Sequence, residues 1–381
     1  MEHILLHAVG WLLTGLALCS AGYALAVSRL VDRFGKHAAA LPASHAPVTL
    51  LKPLHFDEPG LEENLASFVT QDYAAPVQLI FGVQDAKDPA IETVQRLKER
   101  FPGADIELVI DTELHGTNRK VSNLVNMARC MKHDIVVLSD SDIGVSKDWL
   151  SKVVSALEAP GVGAVTCLYA GKPEGNGWSV ISAMGATYEF LPNVIAGVSW
   201  GLAQPCLGST IALKREILEK IGGLRAFADH LADDYEIGRA VRNLGLSIAL
   251  PPFVVNHASP ETRWSTYYRH ELRWNRTTRV INWMGHTGSV ITHAVPLGVL
   301  GLVLSGFTPT SAMILGAALS SRLWLKWRVE RKFGTYAGPA LALPARDIIS
   351  FAVYLASFFA EDVHWRGTRF QVSPTGALVQ S

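Results

Sequence analysis

The sequence predicts an α/β protein in which a mostly parallel sheet flanked by helices sits between apolar segments at the two ends of the chain. Three observations predict it. Short apolar runs alternate with helix-period segments from residue 48 to residue 157, residues 4–27 are almost entirely apolar, and apolar stretches resume after residue 288. Composition agrees. Of 381 residues, 49% are hydrophobic and only 18% charged. Ordinary soluble chains carry about 25% charged residues, so part of this chain is expected in lipid. Thirty-four Lys and Arg balance 34 Asp and Glu, which excludes a generally basic nucleic-acid binder. The four cysteines, Cys19, Cys130, Cys167 and Cys206, form no CxxC pair. Neither a disulfide framework nor a zinc site is expected, and each reads as a small buried hydrophobe.

The run Ile4–Val27 is 24 residues long with His7 as its one titratable interruption, and about 20 such residues span a bilayer core. A cleaved signal peptide would have an apolar region of about 7–15 residues behind a basic stretch. Here Arg29, Arg33 and Lys36 follow the run, as in an uncleaved anchor whose next segment is cytoplasmic. Residues 289–307 and 310–325, joined by Thr308-Pro309, read as a hairpin of spanning helices that returns the chain to the basic residues Lys326, Arg328, Arg331 and Lys332. In 337–360, Pro344, Arg346 and Asp347 leave only 13 charge-free residues, Ile348–Ala360. That is short for a span, so a re-entrant or interfacial segment is expected there. The expected organisation is an N-terminal anchor (1–28), a cytoplasmic domain (38–285), a C-terminal membrane region (289–360) and a tail (361–381).

Within the middle stretch, 47–54, 77–83, 106–110 and 134–139 read as short apolar strands rich in β-branched residues. Leu61–Thr70, Ala90–Phe101, Val121–Lys132 and Ser146–Leu157 carry helical spacing. Strands alternating with helices of this length indicate βαβ units, whose ligands lie beyond the carboxyl ends of the strands.

Candidate chemistry falls at those ends. Asp85 follows the strand ending Val83; alone it reads as a turn residue or helix cap. Asp140-Ser141-Asp142 follows the strand 135–139. Two carboxylates at i and i+2 can reach one hard cation, Mg2+ or Mn2+, which commonly bridges carboxylate to phosphate; they also read as an acidic turn capping the helix 146–157. Asp233-Asp234 are adjacent, so mutual repulsion raises one pKa as a general base needs. The competing reading is an exposed first helical turn, where acids suit the dipole. In Arg269-HELRWN-Arg276, followed by Arg279, the residues Arg269, Arg273 and Arg276 share one helical face. That face suits phosphate or lipid headgroups, and Trp264, Trp274 and Trp283 suit a membrane interface. The stretch His115–Asn123 offers Arg119, Lys120 and helix-start amides to an anion. No Walker loop and no GxGxxG are present, which excludes P-loop and dinucleotide chemistry.

The order of these features resembles the membrane-bound family 2/21 glycosyltransferases of GT-A fold, with their D, D, D, (Q/R)xxRW pattern. It is most similar to their ceramide glucosyltransferase-like group and, within it, to the bacterial glycosyltransferases of hopanoid biosynthesis. The stretches LKPLHFDEPGLEENLASF, FGVQDAKDPA, HGTNRKVSNL, HLADDYEIG and RHELRW carry the resemblance across residues 1–300, with WRGTRFQV in the tail. It implies that Asp85 holds the uracil end of a UDP-sugar and that Asp140 serves the metal and diphosphate. It implies further that Asp142 completes a DxD, that Asp234 is the general base, and that Arg273 and Trp274 are the terminal RW. Lys120 joins the donor-binding set, and Asp233 is a secondary candidate. Where the family has Gln or Arg this chain has His270, with Arg269 one position away.

The expectation is an inverting glycosyltransferase that needs a divalent metal and moves one sugar, UDP-N-acetylglucosamine being the expected donor, to a hydroxyl of a membrane lipid. A hopanoid such as bacteriohopanetetrol is the expected acceptor. UDP-glucose with ceramide is the alternative; a processive polysaccharide synthase and a non-catalytic nucleotide-sugar-binding subunit are the further readings. The expected location is the bacterial inner membrane, multi-pass, with the catalytic domain cytoplasmic and no nucleic-acid partner.

Overall fold

The computed structural model describes residues 2–36, 45–56, 58–359, 362–365, 368–372 and 378–380. Asp57 and, in the WRGTRFQV stretch, Arg366 and Gly367 lie outside the described residues, and the expected tail 361–381 is described only as strands. The chain forms two compact units from separated stretches. One comprises His37–Ala170, Gln204–Pro260 and Arg369–Ser381; the other comprises Met1–Lys36, Gly171–Ala203 and Glu261–Thr368. The sequence was read as one uninterrupted domain over 38–285, whereas Gly171–Ala203 and the chain from Glu261 onward group with the apolar helices.

In the first unit a seven-stranded sheet is built from β1 (Val48–Pro53), β2 (Val77–Val83), β3 (Asp105–Ile110), β4 (Ile135–Leu138), β6 (Val162–Thr166), β8 (Ile211–Lys214) and β9 (Ser247–Ala249). Three further strands, β5 (Ile143–Gly144), β7 (Leu168–Pro173) and β10 (Val254–Ser259), form a small second sheet in the order β5-β10-β7. The large sheet runs β3-β2-β1-β4-β8-β6-β9. β1 pairs in parallel with β2 on one side and β4 on the other, so the chain reverses its winding between β1 and β4. β1 and β4 are buried along their whole length, which is why both read as continuous apolar runs rather than alternating ones. The expected mostly parallel sheet is mixed at one point: β8 runs antiparallel to both β4 and β6. Because of that reversal, Ile211 at the start of β8 pairs with Leu138 at the end of β4. The turn before β8 is thereby delivered to the carboxyl edge.

The helices Leu61–Val69, Ala90–Arg100 and Arg119–Ala128 link these strands. Asn118 caps the last of them by accepting from the Val121 amide, and the helix then packs on β2 at Gly82. Asn123 Nδ2 donates to the Gly82 carbonyl at 2.7 Å. A Cβ at Gly82 would stand 2.3 Å from Asn123 Oδ1 and 2.4 Å from Met127 Sδ, so only glycine admits the helix this closely.

In the second unit, helix Glu2–Arg33 runs 32 residues. Gly10 and Gly301 let helix Ala294–Leu304 approach it, since a Cβ at either would fall within 2.4–2.6 Å of the other helix. Cys19 on the long helix is exposed, and Cys130 of the first unit is half-buried; only Cys167 and Cys206 fit the buried-hydrophobe reading, and all four are free. By length and composition, Glu2–Arg33 and Ala340–Ser357 are each able to cross a membrane. The pair Trp283–Thr292 and Ala294–Leu304 is bent by 66°, so the expected first hairpin arm 289–307 is not one straight helix. Helix Pro309–Phe333 extends the expected second arm to 25 residues, and its Arg322 is buried in a bidentate pair with Asp347 at 2.8 and 3.0 Å. Pro344 occupies the first turn of helix Leu343–Ser357, where its missing N–H costs nothing. The residues expected to break the 337–360 segment thus start a helix and are neutralised inside the unit.

The Gly82 contact makes a direct test of this packing. Gly82→Ala is expected to destabilise the chain by about 1–3 kcal/mol through overpacking, read as a lowered thermal midpoint of the detergent-solubilised protein. An unchanged midpoint would show that the helix over β2 is free to move away.

Candidate active site

The carboxyl edge of the large sheet gathers four of the predicted carboxylates. β4 ends one residue before Ser139, and the chain turns there through Asp140, Ser141 and Asp142 into β5. The turn before β8 supplies Gly208, whose carbonyl accepts from the Asp140 amide at 3.1 Å and whose amide donates to Asp234 Oδ2 at 3.0 Å. Asp233 and Asp234 open helix Asp233–Asn243. Glycine is required between the two acidic pairs: a Cβ at Gly208 would stand 2.4 Å from Asp140 Oδ2 and 3.2 Å from Lys120 Nζ.

Lys120, in the first turn of its helix, joins the two groups. Its Nζ lies 2.8 Å from Asp140 Oδ1 and 3.1 Å from Asp233 Oδ2. Burial works to lower its pKa, but Asp140, Asp233 and Asp234 outweigh burial and hold the ammonium well above its usual value. Asn118 adds a donor to Asp233 at 3.3 Å and another to the His230 carbonyl at 2.8 Å. Asp233 is 6% exposed and Asp234 half-buried, so the reading of this pair as an exposed helix start does not hold. Burial, with the neighbouring Asp233, raises the Asp234 pKa to about 6. The capping reading of Asp140 and Asp142 also fails, because the next helix, Trp149–Leu157, has Asp148 at its N-cap position.

Asp142 Oδ2 lies 3.3 Å from His257 Nε2, while its buried Oδ1 has no hydrogen-bond partner. His257, on β10, stacks on Tyr169 at 5.0 Å. Sequence reasoning missed His257; the only signal was a histidine in an apolar strand downstream of the acidic pair. It also missed Lys52, a fully buried lysine at the end of β1. Lys52 Nζ donates to the Asp140 carbonyl at 2.7 Å and to Ser139 Oγ at 3.2 Å, and sits 3.6 Å over the Phe68 ring. Burial lowers its pKa to about 7 against the opposing pull of Asp142 and Asp140. Among the described residues no three His, Cys, Asp or Glu side chains are assembled as a metal cluster.

Asp85 stands at the same sheet edge, after β2, exposed, with its Oδ1 accepting from the Lys87 amide at 2.9 Å. Arg119 is exposed. Arg269, His270, Arg273, Trp274 and Arg276 belong to helix Trp264–Ile281 of the helical unit. They do not form one cationic stripe, since Arg269 is exposed and Arg276 is buried. His270 Nδ1 is paired with Glu261, and its ring meets Trp274 edge-on at 4.6 Å.

A helix-flanked mixed sheet with acidic pairs at its carboxyl edge defines this chain as a GT-A fold. The sequence model of glycosyl transferase family 21 matches residues 10–378, and the chain belongs to that family. A ceramide glucosyltransferase of Caenorhabditis elegans is 26% identical over 236 residues, 60% of this chain and 49% of that protein. An N-acetylglucosaminyltransferase of Azorhizobium caulinodans is 23% identical over 66% of this chain and 64% of its own. This chain spans about half the length of the first of these relatives. A mannosyltransferase of Pyrobaculum calidifontis, solved with GDP-Man and Mn2+, shares the fold with a TM-score of 0.53 at 24% identity, over 93% of this chain and 98% of that one.

The Lys120 bridge predicts a coupled pair of effects. Lys120→Met leaves Asp233 buried and unpaired and is expected to cost roughly 2–4 kcal/mol, below the full cost of a buried orphan charge because Asp140 still meets water. Adding Asp233→Asn is expected to restore more than half of that loss in a thermal-denaturation cycle; simple additivity of the two changes would count against the bridge.

Proposed function

We propose that this chain is an inverting glycosyltransferase that moves one sugar from a UDP-sugar to a hydroxyl of a membrane lipid, with Asp234 as general base. The observation that carries the reading is the gathering of Asp140, Asp233 and Asp234 around Lys120 and Gly208 at the carboxyl edge of the sheet. A carboxylate with a pKa near 6 is ionised at neutral pH yet basic enough to accept a proton. As the acceptor oxygen bonds to the anomeric carbon, the bond from that carbon to the diphosphate breaks and its electron pair leaves with UDP. The acceptor proton passes to Asp234. A single displacement of this kind inverts the anomeric configuration.

Asp140 and Asp142 would hold a divalent cation: carboxylate oxygens suit Mn2+ or Mg2+, and the buried Asp142 Oδ1 has no hydrogen-bond partner. When bound, such an ion supplies positive charge to the departing diphosphate. Lys52 fixes the Asp140 carbonyl from below, and Gly208 spaces the base from the DxD turn. The donor roles of Asp85, Lys120, Arg273 and Trp274 follow the family pattern, with Arg269 and His270 secondary.

For the lipid, the resemblance noted in the sequence supports UDP-N-acetylglucosamine and a hydroxylated hopanoid, in a bacterial inner membrane with the catalytic domain cytoplasmic. The curated relatives support UDP-glucose and ceramide as the second reading. Mass spectrometry of lipids from cells with and without the chain separates them: an N-acetylhexosaminyl hopanoid is expected, and a hexosylceramide with hopanoids untouched selects the second.

Asp234→Asn is expected to keep UDP-sugar binding while lowering kcat by at least ~100-fold. In the unsubstituted protein, kcat/KM is expected to fall as pH drops through about 6, because protonation removes the base. Full turnover by the Asn variant would refute the assignment.

A further inference from the structure

Helix Trp264–Ile281 and its lead-in carry a second polar cluster, wholly within the helical unit. Tyr267 is fully buried and its hydroxyl has no hydrogen-bond partner. The groups that act electrostatically on that hydroxyl are Glu271, Arg346, Glu189 and Glu261. Arg346 is 2% exposed with an unpartnered Nε, and Glu261 is 6% exposed with an unpartnered Oε2. Glu271 is 8% exposed, and Arg346, Glu189 and Glu261 act electrostatically on its carboxylate. Burial pushes Glu271 up to about 7. Gly185 packs directly against the cluster: a Cβ there would stand 2.9 Å from Arg346 Nη2 and 3.5 Å from Glu271 Oε1. The next residues form a π-helical turn, Ala186–Phe190, which carries Glu189; such turns often mark functional sites.

An unsatisfied buried polar atom is costly, and native proteins hold few. Here two orphan donors (Tyr267 hydroxyl, Arg346 Nε) and one orphan acceptor (Glu261 Oε2) belong to one electrostatically coupled cluster with the Glu271 carboxylate. A free anion meets three carboxylates and a free cation meets Arg346. A hydroxyl both donates and accepts, so several hydroxyls on one molecule satisfy the set. The ring of Tyr267 extends the cluster into an aromatic wall with Trp178 at 5.7 Å and Trp264 at 5.8 Å, and Trp264 is 44% exposed. Arg346 lies in Ala340–Ser357, a helix able to cross a membrane, where ionisable groups mark substrate paths.

We propose that Tyr267, Glu261, Glu271 and Arg346 form a binding site for the hydroxylated headgroup of a membrane lipid. On the function proposed above this lipid is the acceptor; that identification rests on that reading, whereas the binding does not.

The test is therefore equilibrium binding to the full chain in detergent micelles with no UDP-sugar present, followed by tryptophan fluorescence. The probes are bacteriohopanetetrol, ceramide and a hydroxyl-free hopane. Saturable binding of a hydroxylated probe and none of the hopane is expected. Tyr267→Phe and Glu271→Gln are each expected to weaken it roughly tenfold, the value of one lost hydrogen bond to a charged or buried partner, with thermal midpoint and UDP binding unchanged. Gly185→Ala, which crowds Arg346 and Glu271 without removing a polar group, is the second variant should either of those fail to fold, and is expected to weaken binding likewise. Equal binding of the hopane, or undiminished binding by a folded variant, overturns the site and leaves the cluster to internal water. Intact lipid binding without sugar transfer would instead count against the catalytic reading alone.

Discussion

The ammonium of Lys120 held between Asp140 and Asp233 is the contact on which the carboxyl edge of the sheet depends. Four carboxylates crowd the ends of β4 and the helix Asp233–Asn243, and at short range in a partly buried setting their repulsion is large. One lysine bonded to both groups lets the two acidic pairs share an edge. The Gly208 amide does the same for Asp234, and Lys52 does it from beneath through the Asp140 carbonyl. Three unrelated stretches of chain therefore supply the positive ends that keep the acids together, and each comes from a different strand or helix terminus. Asp234 is left with a carboxyl whose pKa burial and the neighbouring Asp233 raise to about 6.

Geometry explains why these termini meet. The winding reverses between β1 and β4, and the carboxyl edge at such a reversal is the usual ligand position in open α/β sheets. The antiparallel β8 then brings the Gly208 turn to the same edge, because a strand inserted against the direction of β4 begins where β4 ends. A parallel β8 would have placed that turn at the opposite edge, away from Asp140. Gly82 fixes the remaining coordinate by letting the Lys120 helix lie close on β2.

The helical unit solves a different problem with the same means. Its charges are matched in pairs: Arg322 with Asp347, Arg346 with Glu189, Lys326 with Glu330, and Arg328 with Asp32. Tyr188 ties three of its segments together, donating to Glu330 at 2.6 Å and accepting from the Ala337 amide at 2.9 Å, while its carbonyl accepts from Arg322 at 3.0 Å. Charge that would oppose burial in lipid is thus turned inward. The helix containing Arg346 and Asp347 is apolar enough by composition to cross a membrane, and both charges have partners within the unit.

Local pattern alone determined the strands β1 to β4, the helices between them, the long apolar N-terminal helix and the acidic positions after β4 and before the Asp233 helix. Each of these rests on periodicity or turn chemistry within about a dozen residues, which a linear reading can see. Tertiary structure alone decided the rest. The pairing of Lys120 with Asp233 spans more than a hundred residues, and nothing in HGTNRKVSNL distinguishes a lysine awaiting a phosphate from one claimed by carboxylates. Lys52 and His257 sit in apolar strands where their neighbours point to core, and only the meeting of strand ends gives them polar partners. Arg346 and Asp347 looked like a break in a span because a sequence shows charge but not its partner, and whether a charge opposes burial depends on the group it faces.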